Sequence, residues 1–226
     1  VSGVDSRFQF ACPVYGCGFL GDNSAWLPAF EKLGKERALL WLTQWDPAGY
    51  LPSMRRPMLW VNGTNDFAYP MDSWQKSYRL PTGPRTLALR IRMPHGHGPV
   101  GENAEEIHQF ANHILRGETP LAVVTGQGIT LATEAAPAGE LWATFQTSRP
   151  VKSAELCFTR DREKWTDRKW ESLPATIDAE LKDDAPGKSS SAVKTTRRVH
   201  AAIPAEATVV YLNLFDETGC AVSSKH

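Results

Sequence analysis

Trp60-Val61-Asn62-Gly63-Thr64-Asn65-Asp66-Phe67-Ala68-Tyr69-Pro70 is the stretch on which the fold turns. Together with Pro57-Met58-Leu59 before it, the run through Val61 reads as a buried strand, ended by the turn pair Asn62-Gly63. Asp66 then stands just past the C-terminal end of that strand. In open parallel sheets this edge is where sites assemble. An acid placed there can orient a histidine; the same residue also suits an Asx turn or a helix cap.

The neighbouring pattern supports a parallel sheet. Upstream, Phe8-Gln9-Phe10-Ala11-Cys12-Pro13-Val14-Tyr15 reads as another buried strand closed by Gly16. Its inner neighbour would lie before Val1, so it is expected to pair on one side only. A long excursion follows over 16–54, with helical spacing over 25–33 and 35–45. Downstream, 71–80 reads as a helix, and 85–93 as a strand on which Leu87, Leu89, Ile91 and Met93 alternate with the other face. Asn103 and Glu106 have capping-box spacing, Ile107, Phe110, Ala111, Ile114 and Leu115 form one helical stripe, and Gly117 stops it. The order strand, helices, strand, helix, strand, helix is that of an α/β unit with crossover connections.

After Pro120 the texture changes. Strand-like runs follow one another near 121–133, 140–147, 153–160, 191–203 and 207–215, with period-two alternation in Leu141-Trp142-Ala143-Thr144-Phe145. The segment 183–191, rich in Gly, Ser, Lys and Asp, reads as a solvated hairpin loop. The expected organisation is an α/β domain over 1–117 and a small, all-β Ig-like sandwich over 120–226, joined by Arg116-Gly117-Glu118-Thr119-Pro120. The sandwich is expected to fold alone.

Composition narrows the function. Lys+Arg and Asp+Glu are both 25, so no basic stripe exists for nucleic acid or for an anionic membrane. The longest strongly apolar run, Ala38-Leu39-Leu40-Trp41-Leu42, is too short to cross a bilayer. Cys12, Cys17, Cys157 and Cys220 form no CxxC pair, which leaves disulfides and the compartment open, a secreted or periplasmic one included. Trp26, Trp41, Trp45, Trp60 and Trp74 are expected in the core. Trp165 and Trp170 could offer a sugar-stacking platform, but cross-strand packing is the favoured expectation.

The second informative motif is Met93-Pro94-His95-Gly96-His97-Gly98-Pro99, which falls just past the next strand and so beside Asp66. The glycines let this loop approach another group closely. A His-x-His pair with an acid could bind zinc or iron, but His108, His113, His200 and His226 offer no convincing further ligand. The preferred expectation is the acid and base of a nucleophilic triad, without metal or cofactor. No Gly-x-Ser-x-Gly occurs. Cys17, in Tyr15-Gly16-Cys17-Gly18, is a weak alternative nucleophile.

These residues resemble the C-terminal half of an α/β-hydrolase, in the order acid then histidine after successive strands. Gly3-Val4-Asp5-Ser6-Arg7-Phe8, Asn62-Gly63-Thr64-Asn65-Asp66 with Pro70, and His97-Gly98 followed by Glu106 and Phe110 are similar to the corresponding segments of dienelactone-hydrolase-like, acetyl-xylan-esterase-like and prolyl-oligopeptidase-like enzymes. The later part, with Trp165 to Trp170 and Val222-Ser223-Ser224, resembles the extra domain of some bacterial esterases related to acetyl xylan esterases. The resemblance implies a serine ester hydrolase acting through an acyl-enzyme on a small ester or carbohydrate ester. Asp66 is its acid and His97 its base, with His95 as the alternative. The nucleophile and oxyanion loop would lie in an upstream half of the same domain, leaving this chain inactive alone. The alternatives are a serine exopeptidase of prolyl-oligopeptidase type and a non-catalytic carbohydrate or interaction module.

Overall fold

The computed structural model describes residues 2–96, 101, 103–133, 138–180 and 195–226. His97 and the 183–191 loop lie outside them. The chain is mixed α/β, with most strands in antiparallel sheets. It divides into two compact units. One is Val1–Ile107 with Arg162–Arg168, and the other is His108–Asp161 with Lys169–His226. The composition changes at 116–120, but the compact units divide inside a helix, and a short turn from the β-rich part belongs with the first unit.

In the first unit, β1 (Met58–Gly63) pairs in parallel with β2 (Arg85–Arg90), in register from Met58 opposite Arg85 to Gly63 opposite Arg90. All of β1 is buried, as its unbroken apolar run requires. The crossover between them holds α3 (Met71–Arg79), which buries Met71, Trp74 and Tyr78 at helical spacing. The expected strand over 8–15 is only partly realised. Ala11 and Val14 bridge in parallel to Met58 and Val61. The amides of Ala11 and Tyr15 donate to Pro57 and Val61, while the carbonyls of Ala11 and Pro13 accept from Leu59 and Val61. Residue 13 faces β1 and is proline, so it has no N–H to donate and the ladder is interrupted there.

The excursion forms α1 (Leu27–Leu33) and α2 (Lys35–Trp45). Asp46 fastens α2 to the chain after Tyr15: its carboxylate accepts from Phe19 and Leu20 amides at 3.0 and 2.8 Å. The expectation of core tryptophans splits here. Trp60 and Trp74 are fully buried, but Trp26 and Trp45 are 47% and 65% exposed, because α1 buries nothing and α2 only Ala38.

A further helix, α4 (Glu105–Arg116), carries Glu106 near its start, and the Glu106 carboxylate pairs with Arg90. In the second unit, β3 (Val123–Thr130), β4 (Glu140–Thr147), β5 (Val151–Thr159), β6 (Glu171–Pro174), β7 (Thr176–Ile177), β8 (Thr195–Ala202), β9 (Val209–Asp216) and β10 (Ala221–Ser223) build two antiparallel sheets, in the orders β10-β9-β5-β6 and β3-β4-β8-β7. Alternation puts Leu141, Ala143 and Phe145 of β4 on the buried face, with Val199, Leu156 and Leu212 among its other core residues. Trp170 packs edge-on against Tyr211 with ring centroids 5.7 Å apart and is buried, so its role is packing.

Candidate active site

The site grows from the ends of β1 and β2. At the end of β1, the buried Asn62 side chain donates to the Tyr69 carbonyl at 3.1 Å and accepts from the Gly63 amide at 2.9 Å. This closes the base of the turn that carries Asp66. Gly63 is required by its neighbour: a Cβ there would stand 2.2 Å from the Met93 carbonyl oxygen. That approach brings the chain after β2 directly over the end of β1. The Thr64 amide donates to Arg90, and the Thr64 hydroxyl accepts from the Arg92 amide at 3.0 Å, so both strand ends are tied.

Asp66 is 1% exposed and both its oxygens are engaged. Oδ1 accepts from the amides of Ala68 and Tyr69 at 2.8 and 2.7 Å. Oδ2 lies 2.8 Å from His95 Nδ1. A carboxylate only accepts, so this contact calls for an N–H at Nδ1 and leaves Nε2 as the ring nitrogen turned away from Asp66. The expected juxtaposition of acid and histidine is therefore present, and the described histidine that makes it is His95.

Three aromatic rings surround the imidazole. Tyr15 stacks on it with centroids 4.4 Å apart, Phe67 is tilted at 5.0 Å and Tyr69 lies at 6.0 Å. The Tyr15 hydroxyl also donates to the Pro94 carbonyl at 2.8 Å, which ties the end of the 11–15 segment to the histidine loop. Two of these anchoring positions have strained backbones. Tyr15 has φ 55° and Arg92 φ 52°, left-handed values that bulky residues rarely adopt. Such outliers persist where surrounding contacts over-determine them, and they cluster at functional sites.

Tyr69 also lines a cavity of about 820 Å³, together with Trp26, Trp41, Trp45, Trp60 and Cys17. Cys17 is not a competent nucleophile. Burial pushes its thiol up to about 12, so near neutral pH it holds its proton. Cys12 is raised to about 12 by the same cause. Among the described residues no group of three or more His, Cys, Asp or Glu side chains is arranged to hold a metal ion. In the second unit, His200 sits between Glu140 and Asp178, at 2.8 and 3.1 Å from its two ring nitrogens.

One participant left no trace in the sequence pattern. The Asn65 carboxamide nitrogen donates towards the carbonyls of Trp165, Thr166 and Arg168 at 3.2, 3.0 and 2.8 Å. The residue next to the acid thus gathers a turn about a hundred positions away. Its partners are main-chain carbonyls, which no side-chain motif announces.

No family model, no curated protein and no solved structure matches this chain.

Proposed function

We propose that this chain carries the acid and base of a serine-type ester hydrolase, with Asp66 as the acid and His95, rather than His97, as the base. The observation that carries the reading is the 2.8 Å contact from His95 Nδ1 to the buried Asp66 carboxylate, at the C-terminal edge of two parallel strands. The arrangement of an α/β-hydrolase half followed by an Ig-like sandwich is part of the same proposal.

His95 Nε2 takes the proton of a serine hydroxyl as that oxygen attacks the ester carbonyl. It then returns the proton to the leaving alkoxide as the acyl-enzyme forms. Water repeats the cycle: Nε2 removes its proton as its oxygen attacks the acyl carbonyl, then passes that proton to the serine oxygen as the acyl–serine bond breaks and the carboxylic acid leaves. Asp66 holds the ring in the tautomer that makes this possible and offsets the charge of the imidazolium. Tyr15 stacks on the imidazole, with the Phe67 and Tyr69 rings beside it. The serine comes from chain outside residues 1–226: no Gly-x-Ser-x-Gly is present, and Cys12 and Cys17 are held as neutral thiols.

The first test needs no turnover. Nitrogen-15 NMR of the 1–226 chain at neutral pH should find neutral His95 protonated at Nδ1, and Asp66→Asn should redistribute the proton towards Nε2. A ring protonated at Nε2 in the unaltered chain overturns the reading. In the longer parent protein, turnover of a small acetyl ester but not of a dipeptide amide separates the esterase from the peptidase.

A further inference from the structure

Phe67 is 61% exposed although it is a large aromatic side chain one residue past Asp66, and it stands 5.0 Å from the His95 ring. On the other side of Asp66, Asn65 holds the 165–168 turn through three carbonyls. By compactness that turn belongs with Val1–Ile107. Its two large side chains are pre-arranged: the Arg168 guanidinium lies 3.6 Å over the Trp165 ring, and Arg168 Nε donates to the Glu163 carbonyl at 2.9 Å. Arg92, exposed and held in its left-handed conformation, reaches the Arg168 carbonyl at 3.3 Å.

Several features of this arrangement exceed what folding requires. A turn needs no side chain a hundred positions away to close it, and an asparagine beside a catalytic acid could face water. Here it directs its amide at three main-chain acceptors, which ties the turn carrying Trp165 and Arg168, and reached by Arg92, to the residue beside Asp66. Aromatic faces bind flat rings, and planar guanidinium groups donate to oxygen substituents at ring edges.

We propose that Asn65 is a positioning residue that builds the 162–168 turn into the Asp66–His95 site as its recognition wall. The wall takes a ring-bearing part of the substrate against Trp165 and Phe67, and Arg168 and Arg92 donate to the oxygens that part carries. The inference rests on Asp66 and His95 being a catalytic pair, and it makes ring-bearing esters better substrates than methyl or ethyl esters.

The test uses 2-naphthol, a ring bearing one oxygen, titrated into the 1–226 chain and followed by NMR. The Trp165 indole N–H and the Asn65 carboxamide signals should shift together and saturate. Trp165→Ala should weaken binding about tenfold while leaving the His95 signals in place, since a stacked aromatic contact is worth up to roughly 1.5 kcal/mol. Asn65→Asp presents a carboxylate oxygen to the same three carbonyls in place of an N–H donor and should weaken binding at least as much. Binding that leaves the Trp165 and Asn65 signals unmoved, or that survives both Trp165→Ala and Asn65→Asp, overturns the recognition wall. Neither outcome touches the His95 tautomer, so this inference and the catalytic reading fail separately.

Discussion

The two units use the same kinds of residue to opposite ends. In the second, burial follows alternation along β4, which reads intermediate, buried, intermediate, buried, and among the described residues the non-glycine residue there with a left-handed backbone is Glu206 in a turn. In the first, the regular pattern breaks repeatedly, at the site and beyond it. Tyr15, Phe19 and Arg92 take left-handed conformations, Pro13 interrupts a ladder, and Asn62, Thr64 and Asp66 are buried with their side chains bonded. Regularity marks where burial alone sets the structure. Departures from it mark where main chain and side chains have been committed to holding a few atoms in place.

The contrast is open to attack. The largest effect should come from the irregular unit. If the proposed hydrolysis holds, then in a protein that supplies the serine, His95→Ala should lower kcat by about 10³–10⁶ with KM nearly unchanged, and Asp66→Asn somewhat less, as read by steady-state kinetics. His97→Ala should cost far less. If the ranking of the two histidines reverses, the committed atoms are not the ones identified here.

The second test removes a core side chain from the regular unit. Phe145, fully buried, should cost about 3–5 kcal/mol when changed to alanine, read from denaturant unfolding of the β-rich signals. The His95 resonances should stay where they are. Movement of both would make the division into regular and irregular units meaningless.

The smallest effect is a pH dependence. Burial raises the Cys12 and Cys17 thiols from the ordinary 9.0 to about 12. Between these values the native state retains protons that the unfolded chain has lost. Their contribution to stability is therefore complete below about pH 9 and declines as pH rises towards about 12. Alkylation at pH 9 should be slow in the native protein and fast in denaturant; equal rates would remove the buried thiols from the account.

Much of the frame was legible in the sequence. The buried β1, the amphipathic α3 and the succession of strands after Pro120 are written in apolar spacing, which local sequence records well. Asp66 was legible because a polar residue at the end of such a strand is conspicuous. The meeting of His95 with that carboxylate was not. It depends on the path of the chain after β2, set by the close approach of Met93 to Gly63 and by the left-handed Arg92. Pro13 was in plain view, but whether its missing N–H costs a ladder bond depends on which side faces β1. The exposed Trp45 and Leu39 show the reverse limit, since a helical stripe states a capacity for burial and does not name what covers it.

The way Asp66 divides its two oxygens has a consequence for entropy. A carboxylate in water turns freely about its Cβ–Cγ bond, and either oxygen serves. Here two main-chain amides grip Oδ1, so rotation is already frozen before any substrate arrives. The ordering cost was met when the turn folded, and it is not charged again at each turnover. Lengthening the side chain by one methylene, as in Asp66→Glu, restores a torsion that those amides cannot hold, although the charge is the same.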